Sequence, residues 1–498
     1  MKKLYLFCLL FVMMLLPCVQ GMAQPAVRQM DLQEVIALAQ EQSAAARQAE
    51  TSRENSYWQW RSFKSEYRPQ LGLTGTLPDF SRTIMPVTQP DGTTDFKPVS
   101  INNSELGLSL SQVIGPTGGR VFVTSLMQRF DDFDRGQTRY NGNPAIIGIE
   151  QPMFAYNELA WAKKIEPLRY QESQRKFLEE REQVAVKATE LYFDLLLAQT
   201  NHSIASKNQS NNDTLYQIAN EKYKLGRLSK NDLLQLRLAV LNAELAMAQA
   251  ALDQQTAALA LKTYIGMKDT DELRLRTPEG IPAGIVEAVP ALAEAKKNRK
   301  ESLNFSRRLL EAEGLVAKAK GDNGLNASLF ATFGLTNRGA SFTDIYTHPE
   351  NQQRARIGFT MPIMDWGRQR SIYKVAELNK QLVQYTVDQE EANFEQAVLT
   401  QVNQYNTLKA RLATTAEADA IAAERYEIAK NTFVIGRISI TDLNIALSEK
   451  DQARRAHIAS LSSFWIAHYT LRQLTLYDFE EQQPLPGPPL RTGEGVGK

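Results

Sequence analysis

The chain has 498 residues, with 57 Lys and Arg against 56 Asp and Glu and a formal net charge of +1. That balance leaves no basic excess to hold nucleic acid. Both cysteines, Cys8 and Cys18, fall at the extreme N-terminus, so the rest of the chain has no disulfide framework and no thiol or Cys–metal chemistry.

Met1-Lys2-Lys3 is a short basic start, Leu4 to Leu16 is an apolar run, and Gly21-Met22-Ala23 supplies small residues ahead of Gln24. This is the pattern of a secretory signal peptide over residues 1–23. A lipoprotein signal with Cys18 as the lipidated residue is the alternative, and Pro17 directly before it is a poor fit to the small residue such a site needs. Loss of Lys2 and Lys3 would leave 55 basic and 56 acidic residues, a net charge of −1. Beyond the signal no apolar run reaches about 18 residues, so no membrane-spanning helix is expected. Only helices and closed barrels satisfy their backbone in lipid, so any passage of the remaining chain through a bilayer requires a closed β-barrel.

Leu32 to Tyr67 is helical in pattern. Leu106-Gly107-Leu108-Ser109-Leu110-Ser111 then alternates apolar with small or polar residues, the period of a two-faced strand. Leu71–Thr76, Val121–Leu126 and Ile146–Pro152 read similarly, and Pro90-Asp91-Gly92 and Gly115-Pro116-Thr117-Gly118-Gly119 are turn signals. Between Met153 and Leu225 there is no glycine and one proline, Pro167. A helix of ~70 residues reaches roughly 100 Å, too long for a compact globular domain. It stops at Gly226, and a second helix returns over Arg227–Ile265. Ala291–Lys320 is again helical, and Ala327–Leu335 and Arg356–Pro362 are strands around a polar loop. A second long helix fills Ile363–Ile435, interrupted only by Gly367, and a return helix runs from Arg437 to about Glu481. The Pro-rich end, closing on Glu494-Gly495-Val496-Gly497-Lys498, reads as a disordered tail.

The two halves repeat at an offset of 210. Tyr216-x-Ile218-Ala219 with Gly226-Arg227-x-Ser229-x-x-Asp232-Leu233 recurs as Tyr426-x-Ile428-Ala429 with Gly436-Arg437-x-Ser439-x-x-Asp442-Leu443. Gly148 pairs with Gly358, Pro152 with Pro362, Lys164 with Lys374 and Leu261 with Leu471. A register held this long means that one structural unit was duplicated. The expected organisation is a signal peptide (1–23), a first repeat (24–290), a second repeat of the same plan (291–480) and the tail (481–498). The expected fold is mainly α with a membrane β-barrel, built from duplicated helix–strands–long helix–turn–helix units.

The return helix of the first repeat carries Leu234, Leu238, Leu241, Leu245, Ala248, Leu252, Gln255 and Leu259, a heptad seam with one polar position. The second is richer in small residues (Ala453, Ala456, Ala459, Ser460, Ser463, Ala467). Each helical hairpin is expected to pack on itself along these seams.

At the two tips, Gly226 and Gly436 stand where a helix must stop, and glycine accepts the left-handed conformation that caps a C-terminus. Ser229-x-x-Asp232 and Ser439-x-x-Asp442 match a capping box, with the aspartates favoured by the dipole of the following helix. Capping alone is a sufficient account of Asp232 and Asp442. A lumen-facing gate or partner contact is the second reading, and one residue can serve both.

No other constellation carries chemistry. The four histidines, His202, His348, His457 and His468, lack metal-ligand spacing, and no phosphate-binding glycine loop or nucleophile elbow occurs. Asp131-Asp132-x-Asp134 lacks the later glycine and glutamate of a calcium loop and reads as a polar loop. No enzyme, cofactor or metal is expected.

Taken together, these features resemble the outer membrane efflux protein family, the TolC-like exit ducts of Gram-negative bacteria. The carriers are Tyr223-x-x-Gly226-x-x-Ser229-x-x-Asp232-Leu233 and Phe433-x-x-Gly436-x-x-Ser439-x-x-Asp442-Leu443, with Tyr67-x-Pro69-x-Leu71. Gln151-Pro152-Met153-Phe154 and Met361-Pro362-Ile363-Met364-Asp365-Trp366-Gly367 add the strand-to-helix passages. The resemblance spans about Met30 to Tyr477. It implies a homotrimer in which each protomer gives strands to one outer-membrane barrel and four long helices to a periplasmic tunnel. It implies that Gly226, Arg227, Ser229, Asp232, Gly436, Arg437 and Ser439 dock at the tunnel tip onto a periplasmic adaptor serving an inner-membrane pump or exporter. It makes Asp442 the candidate gate, and Ile445 stands where some relatives place a second acidic residue. It places Gly266–Pro290 and the residues after Tyr477 in a belt around the tunnel. The implied function is a passive outer-membrane conduit for efflux or type I secretion; a periplasmic coiled-coil adaptor is the alternative.

One departure stands out. Pro69 to Pro152 spans 83 positions and the comparable Gly324 to Pro362 spans 38. The extra 45 suffice for another hairpin, either in the barrel, beyond the family's four strands per protomer, or as an extracellular cap.

Overall fold

The computed structural model describes residues 27–267, 272–278, 280–282, 284–435 and 437–487. The expected signal peptide, Gly436 and the last part of the tail lie outside them. Eight α-helices are described: α1 Leu32–Gln42, α2 Ala44–Glu66, α3 Glu158–Lys224, α4 Lys230–Ile265, α5 Ala288–Asn298, α6 Lys300–Asp322, α7 Arg368–Val434 and α8 Ile440–Thr475.

These helices expose a second offset. The long helices α3 and α7 have 67 residues each, and the return helices α4 and α8 have 36 each, all at the offset of 210. The earlier helices also match in length, α1 with α5 at 11 residues and α2 with α6 at 23, but at an offset of 256. The step from 256 to 210 places an insertion of 46 residues in the first repeat, after α2 and before α3.

The breaks between the short helices share that offset too. Ser43 separates α1 from α2 with extended backbone (φ −63°, ψ 151°), and Arg299 separates α5 from α6 in the same way (φ −75°, ψ 154°). Ser43 is fully buried, and its hydroxyl accepts the Ala46 N–H at 3.0 Å, so it N-caps the second segment. The sequence pattern alone predicts one unbroken helix through each site.

The strands are β1 Val27–Met30, β2 Gln70–Thr76, β3 Phe80–Thr88, β4 Thr94–Ile114, β5 Gly119–Asp132, β6 Gln137–Met153, β7 Glu272–Leu275, β8 Asn326–Gly339, β9 Glu350–Thr360, β10 Tyr477–Asp478 and β11 Gln483–Pro484. The large antiparallel sheet has the order β2-β4-β5-β6-β8-β9, with β3 also paired to β4. Strands β2 and β3 occupy one lane: β2 pairs with Glu105–Ser111 and β3 with Thr94–Asn102. Pro78, which has no N–H to donate, lies in the gap between them. The sheet therefore has six lanes. The inserted residues do form another hairpin, β4–β5, and it is hydrogen-bonded within the sheet.

One face of this sheet is apolar. Leu71, Leu110, Val123, Ile147 and Phe333 lie in one cross-strand row, and Leu73 faces Leu108 beside it. All of these are exposed. The opposite face presents Gln70, Ser111, Thr332 and Arg354 in one row, with Phe122 covering Gly148. A Cβ on Gly148 would clash with the Phe122 ring, so this close approach favours glycine. Phe154 and Trp366, 74% and 91% exposed, follow the ends of β6 and β9 as an aromatic edge to the apolar band. Among the described residues no helix is long and apolar enough to cross a membrane.

The chain divides into two units. The first comprises residues up to Arg47, Arg181–Val286 and Asn403–Leu471. Its core holds Tyr192, Phe193, Leu195, Leu261, Ile265, Ile458 and Phe464, with β1 and β7 paired in parallel beside it. The Asn406 side chain accepts the Val286 N–H at 3.2 Å and donates to its carbonyl at 2.9 Å, tying down the segment before α5. The expected self-packing of the first leucine seam is not what the fold does. Leu234, Leu238, Leu241, Leu245, Leu252 and Leu259 are exposed, while Leu236, Val240, Ala243 and Ala250 on another face of α4 are buried.

The second unit, Gln48–Glu180, Glu287–Val402 and the residues from Arg472, contains the six-lane sheet. The segment from 481, read as a disordered tail, starts with paired chain: Gln483–Pro484 pairs with Tyr477–Asp478. A buried ion cluster fixes the α5–α6 break. Arg299 Nε lies 3.1 Å and Lys300 Nζ 2.8 Å from the Glu179 carboxylate. Arg299 also reaches Glu301 at 2.6 Å and donates to the Gln473 carbonyl at 2.7 Å. Side chains of Glu179 and Arg299 are 7% and 10% exposed. Removing one partner of a buried pair strands the other charge. Arg299→Ala is therefore expected to cost about 3 kcal/mol, and Glu179→Leu combined with Arg299→Met to recover part of it. Thermal unfolding of the detergent-solubilised protein, followed by helical circular dichroism, measures both.

Candidate functional site at the helical tips

Helix α3 ends at Lys224 among polar residues, and the chain reverses over five residues before α4 begins. Gly226 has φ +69°, the left-handed conformation that glycine takes without strain. The Arg227 N–H reaches back to the Lys222 carbonyl at 2.9 Å, and the Gly226 N–H to that of Tyr223 at 2.9 Å. These two bonds complete a Schellman motif and satisfy carbonyls the helix end would leave bare. In the second copy the Arg437 N–H makes the matching bond to Thr432 at 3.1 Å. The partner glycine of that turn, Gly436, is outside the described residues.

Both serines cap the helix that follows. Ser229 has extended backbone, and its hydroxyl oxygen accepts the Asp232 N–H at 3.1 Å while donating to the Asp232 carboxylate at 2.7 Å. Ser439 does the same with Asp442, at 3.1 and 2.7 Å. The Asp442 carboxylate also accepts the Ser439 N–H at 3.1 Å, closing a reciprocal capping box. The donated Ser439 hydroxyl and N–H hold the Asp442 carboxyl below the usual carboxylate range. A depressed value means that the cap is intact above the ordinary aspartate pKa and is lost as pH falls through the folded value. Asp442 is exposed, so charge and hydrogen bonds coexist with solvent access.

Sequence-predicted residues from both tips lie in the first unit, and packing joins the elements that carry them. Tyr426, Leu443 and Ala446 form a small buried cluster with Leu215, Ala429, Phe433, Ile438 and Leu447. Asn211 on α3 donates to the Tyr426 hydroxyl at 3.3 Å, Asn208 to Asp451 at 2.6 Å, and Lys222 lies over the Phe433 ring. The Arg227 and Arg437 side chains are exposed. Sequence reasoning passed over one pair beside them: Leu225 and Ile435, 70% and 65% exposed at the ends of the long helices. The offset of 210 that aligned the glycines also aligns these two.

Elsewhere the polar candidates are taken up by structure. Asp131 accepts from Asn102 at 2.8 Å and Thr138 at 2.7 Å, and Asp132 accepts the N–H groups of Asp134 and Arg135. No group of side chains able to hold a metal ion occurs among the described residues.

An antiparallel sheet with one apolar face and two helices of 67 residues are the elements expected of an outer-membrane channel. Residues 124–267 and 324–475 match the outer membrane efflux protein family, and the chain belongs to that family. It is an outer-membrane exit duct of an efflux system. The fold is similar to the CmeC outer membrane channel of Campylobacter jejuni, with 17% identity, TM-score 0.64, and 91% of this chain and 87% of that one covered. It is also similar to the outer membrane protein VceC of Vibrio cholerae (13%, 0.61, 89% and 95%) and to the open state of the MtrE outer membrane channel of Neisseria gonorrhoeae (15%, 0.61, 89% and 88%). No curated protein matches the chain by sequence. The adaptor alternative finds no support in the sheet or in these likenesses.

The tip geometry sets two expectations. Gly226→Val forces a β-branched residue to positive φ and costs about 1 kcal/mol or more, whereas Gly226→Asn is tolerated. Ser439→Ala removes a cap and costs about 1 kcal/mol. Hydrogen–deuterium exchange at neutral pH should show faster exchange confined to the affected turn, residues 222–233 or 437–446.

Proposed function

We propose that the chain works as a homotrimeric, passive conduit that docks by its helical tips onto a periplasmic adaptor and draws its energy from an inner-membrane pump or exporter. The observation that carries this reading is the pair of unpaired edges on a sheet with a lipid-compatible face. Strands β2 and β9 each have a neighbour on one side only. In hydrocarbon such edges must be paired, and barrel closure is the way to pair them. The exposed leucine seam of α4 supports the same assembly, since a heptad seam in water needs a partner helix. Ile421 and Ile428 on α7, with Ile435 just past its end, are exposed at steps of seven and offer a complementary stripe.

In this reading Gly226, Arg227, Ser229 and Asp232, with Gly436, Arg437 and Ser439, form the docking surface. The exposed Arg227 and Arg437, beside Leu225 and Ile435, suit a partner tip that presents acidic and apolar side chains. Asp442 is the candidate gate: three-fold symmetry turns one exposed carboxylate into a ring of three, which attracts cations as acidic rings do in cation channels.

Light scattering of the detergent-solubilised protein is expected to give three copies, and cell fractionation to place it in the outer membrane. A stable monomer that stays soluble without detergent overturns the conduit. Photo-cross-linkers at positions 227 and 437 are expected to capture the adaptor; capture only from positions on the sheet overturns tip docking. Asp442→Asn is expected to change cation preference and divalent block in single-channel recordings. Unchanged recordings with an intact trimer leave Asp442 as a helix cap alone.

A further inference from the structure

The lane count fixes the bore. We propose that three copies of the six-lane sheet close into an eighteen-lane barrel, wide enough to pass an extended polypeptide or a helical hairpin, so that selection by size falls on the helical tips. The inference rests on the three-copy assembly proposed above and adds the wall that assembly makes.

The two additional lanes come from the inserted hairpin. At the offset of 256, β2 corresponds to the start of β8; at 210, the end of β6 corresponds to the end of β9. The 46-residue difference therefore falls between Thr83 and Tyr140, which is β4, β5 and their flanks. Their place is in the wall and not above it. Strand β4 pairs with β2 on one side and with β5 on the other through the same stretch, Glu105–Ser111. Leu108, Leu110, Val121 and Val123 continue the apolar band from Leu71 and Leu73 to Ile147 and Phe333. Between Leu106 and Ile114 the outward positions of β4, apolar but for Gln112, cover nine residues, the length that spans the hydrocarbon core. Above that level the outward face turns polar: Asn102 and Ser104 are hydrogen-bonded to each other, and Asn102 to Asp131.

Closure is geometrically permitted. Strand β2 runs away from α2 and β9 runs toward α7, so β2 of one copy meets β9 of the next antiparallel. Lanes spaced about 4.8 Å apart and tilted about 40° give eighteen lanes a backbone radius of about 18 Å. A layer of side chains about 5 Å deep leaves an open bore of about 26 Å. Two helices side by side are about 20–24 Å across and fit. A folded domain of about 100 residues, roughly 34 Å across, does not. The β8–β9 connection leaves this bore clear. Its 3-10 turn, Phe342–Tyr346, lies on the outward side, where Ile345 is buried against Gly142 and Asn337 Nδ2 donates to the carbonyls of Asp344 and Thr347.

Two measurements on the full-length protein test this. Leu110→Lys and Val123→Lys put a charge into the lipid face of the added lanes, and Ser109→Lys puts one on the polar face one residue away. Heat-modifiable trimer in the outer membrane is expected to fall at least tenfold for the first two and to stay at the wild-type level for the third. Wild-type levels for Leu110→Lys and Val123→Lys overturn the placement of β4 and β5 in the wall. Electron cryomicroscopy of the detergent-solubilised protein is expected to show eighteen lanes at about 18 Å radius. Three copies around twelve lanes, with β4–β5 outside the wall, overturn the wide bore and leave the conduit reading intact. A copy number other than three overturns the assembly itself.

Discussion

Everything in the sheet depends on two rows of backbone N–H and C=O groups that its own strands leave unpaired, one along β2 and β3 and one along β9. In water such groups are harmless. Beside an apolar face that includes Leu71, Leu73, Ile357 and Phe359, all exposed, they would meet hydrocarbon. There each unsatisfied group costs several kcal/mol, far more than a side-chain contact returns. The apolar band and the open edges are thus one constraint: the first puts the sheet in lipid, and the second then requires another strand at each end.

The tips obey a different balance. They lie in water, where an exposed carboxylate has no desolvation cost to recover, and Asp442 spends its hydrogen-bonding capacity on its own helix. Both donors to it come from Ser439, and the serine oxygen in turn takes the Asp442 N–H. Such a carboxylate keeps its charge to a lower pH than an ordinary aspartate and is held in one orientation, which suits a cap and also fixes charge at one point in space. The cap and the proposed gate therefore do not compete for this residue. A cap that holds the charge still is what a ring of like charges needs to keep its geometry.

Much of this was legible in the sequence because its signals are local. Glycine-free stretches, alternating leucines and the Gly-x-x-Ser-x-x-Asp turns each state their own conformation, and the repeat at 210 ties them together. What was hidden depends on packing. Ser43 and Arg299 break helices with no glycine or proline nearby, because burial and, at Arg299, ions from distant chain segments hold them extended. Strand β3 carries Pro86 and has Arg82 and Thr83 early, so its alternation is weak. The exposure of the α4 leucines could not be read from their spacing, which states that a seam exists but not whose helix fills it.

The size of the insertion follows from strand direction. In the second repeat β8 leaves the α6 end of the sheet and β9 returns to it, so that α7 continues on the side from which α6 came. The first repeat must do the same for α2 and α3. A single added lane would reverse the direction of β6 and carry α3 to the wrong side of the membrane. Two added lanes restore it, and β4 and β5, joined by the tight turn at Gly115–Gly118, are such a pair. A hairpin is the smallest unit that widens this wall and leaves the helices where the duplication put them. The change of offset from 256 to 210 in mid-repeat is the trace it leaves in the chain.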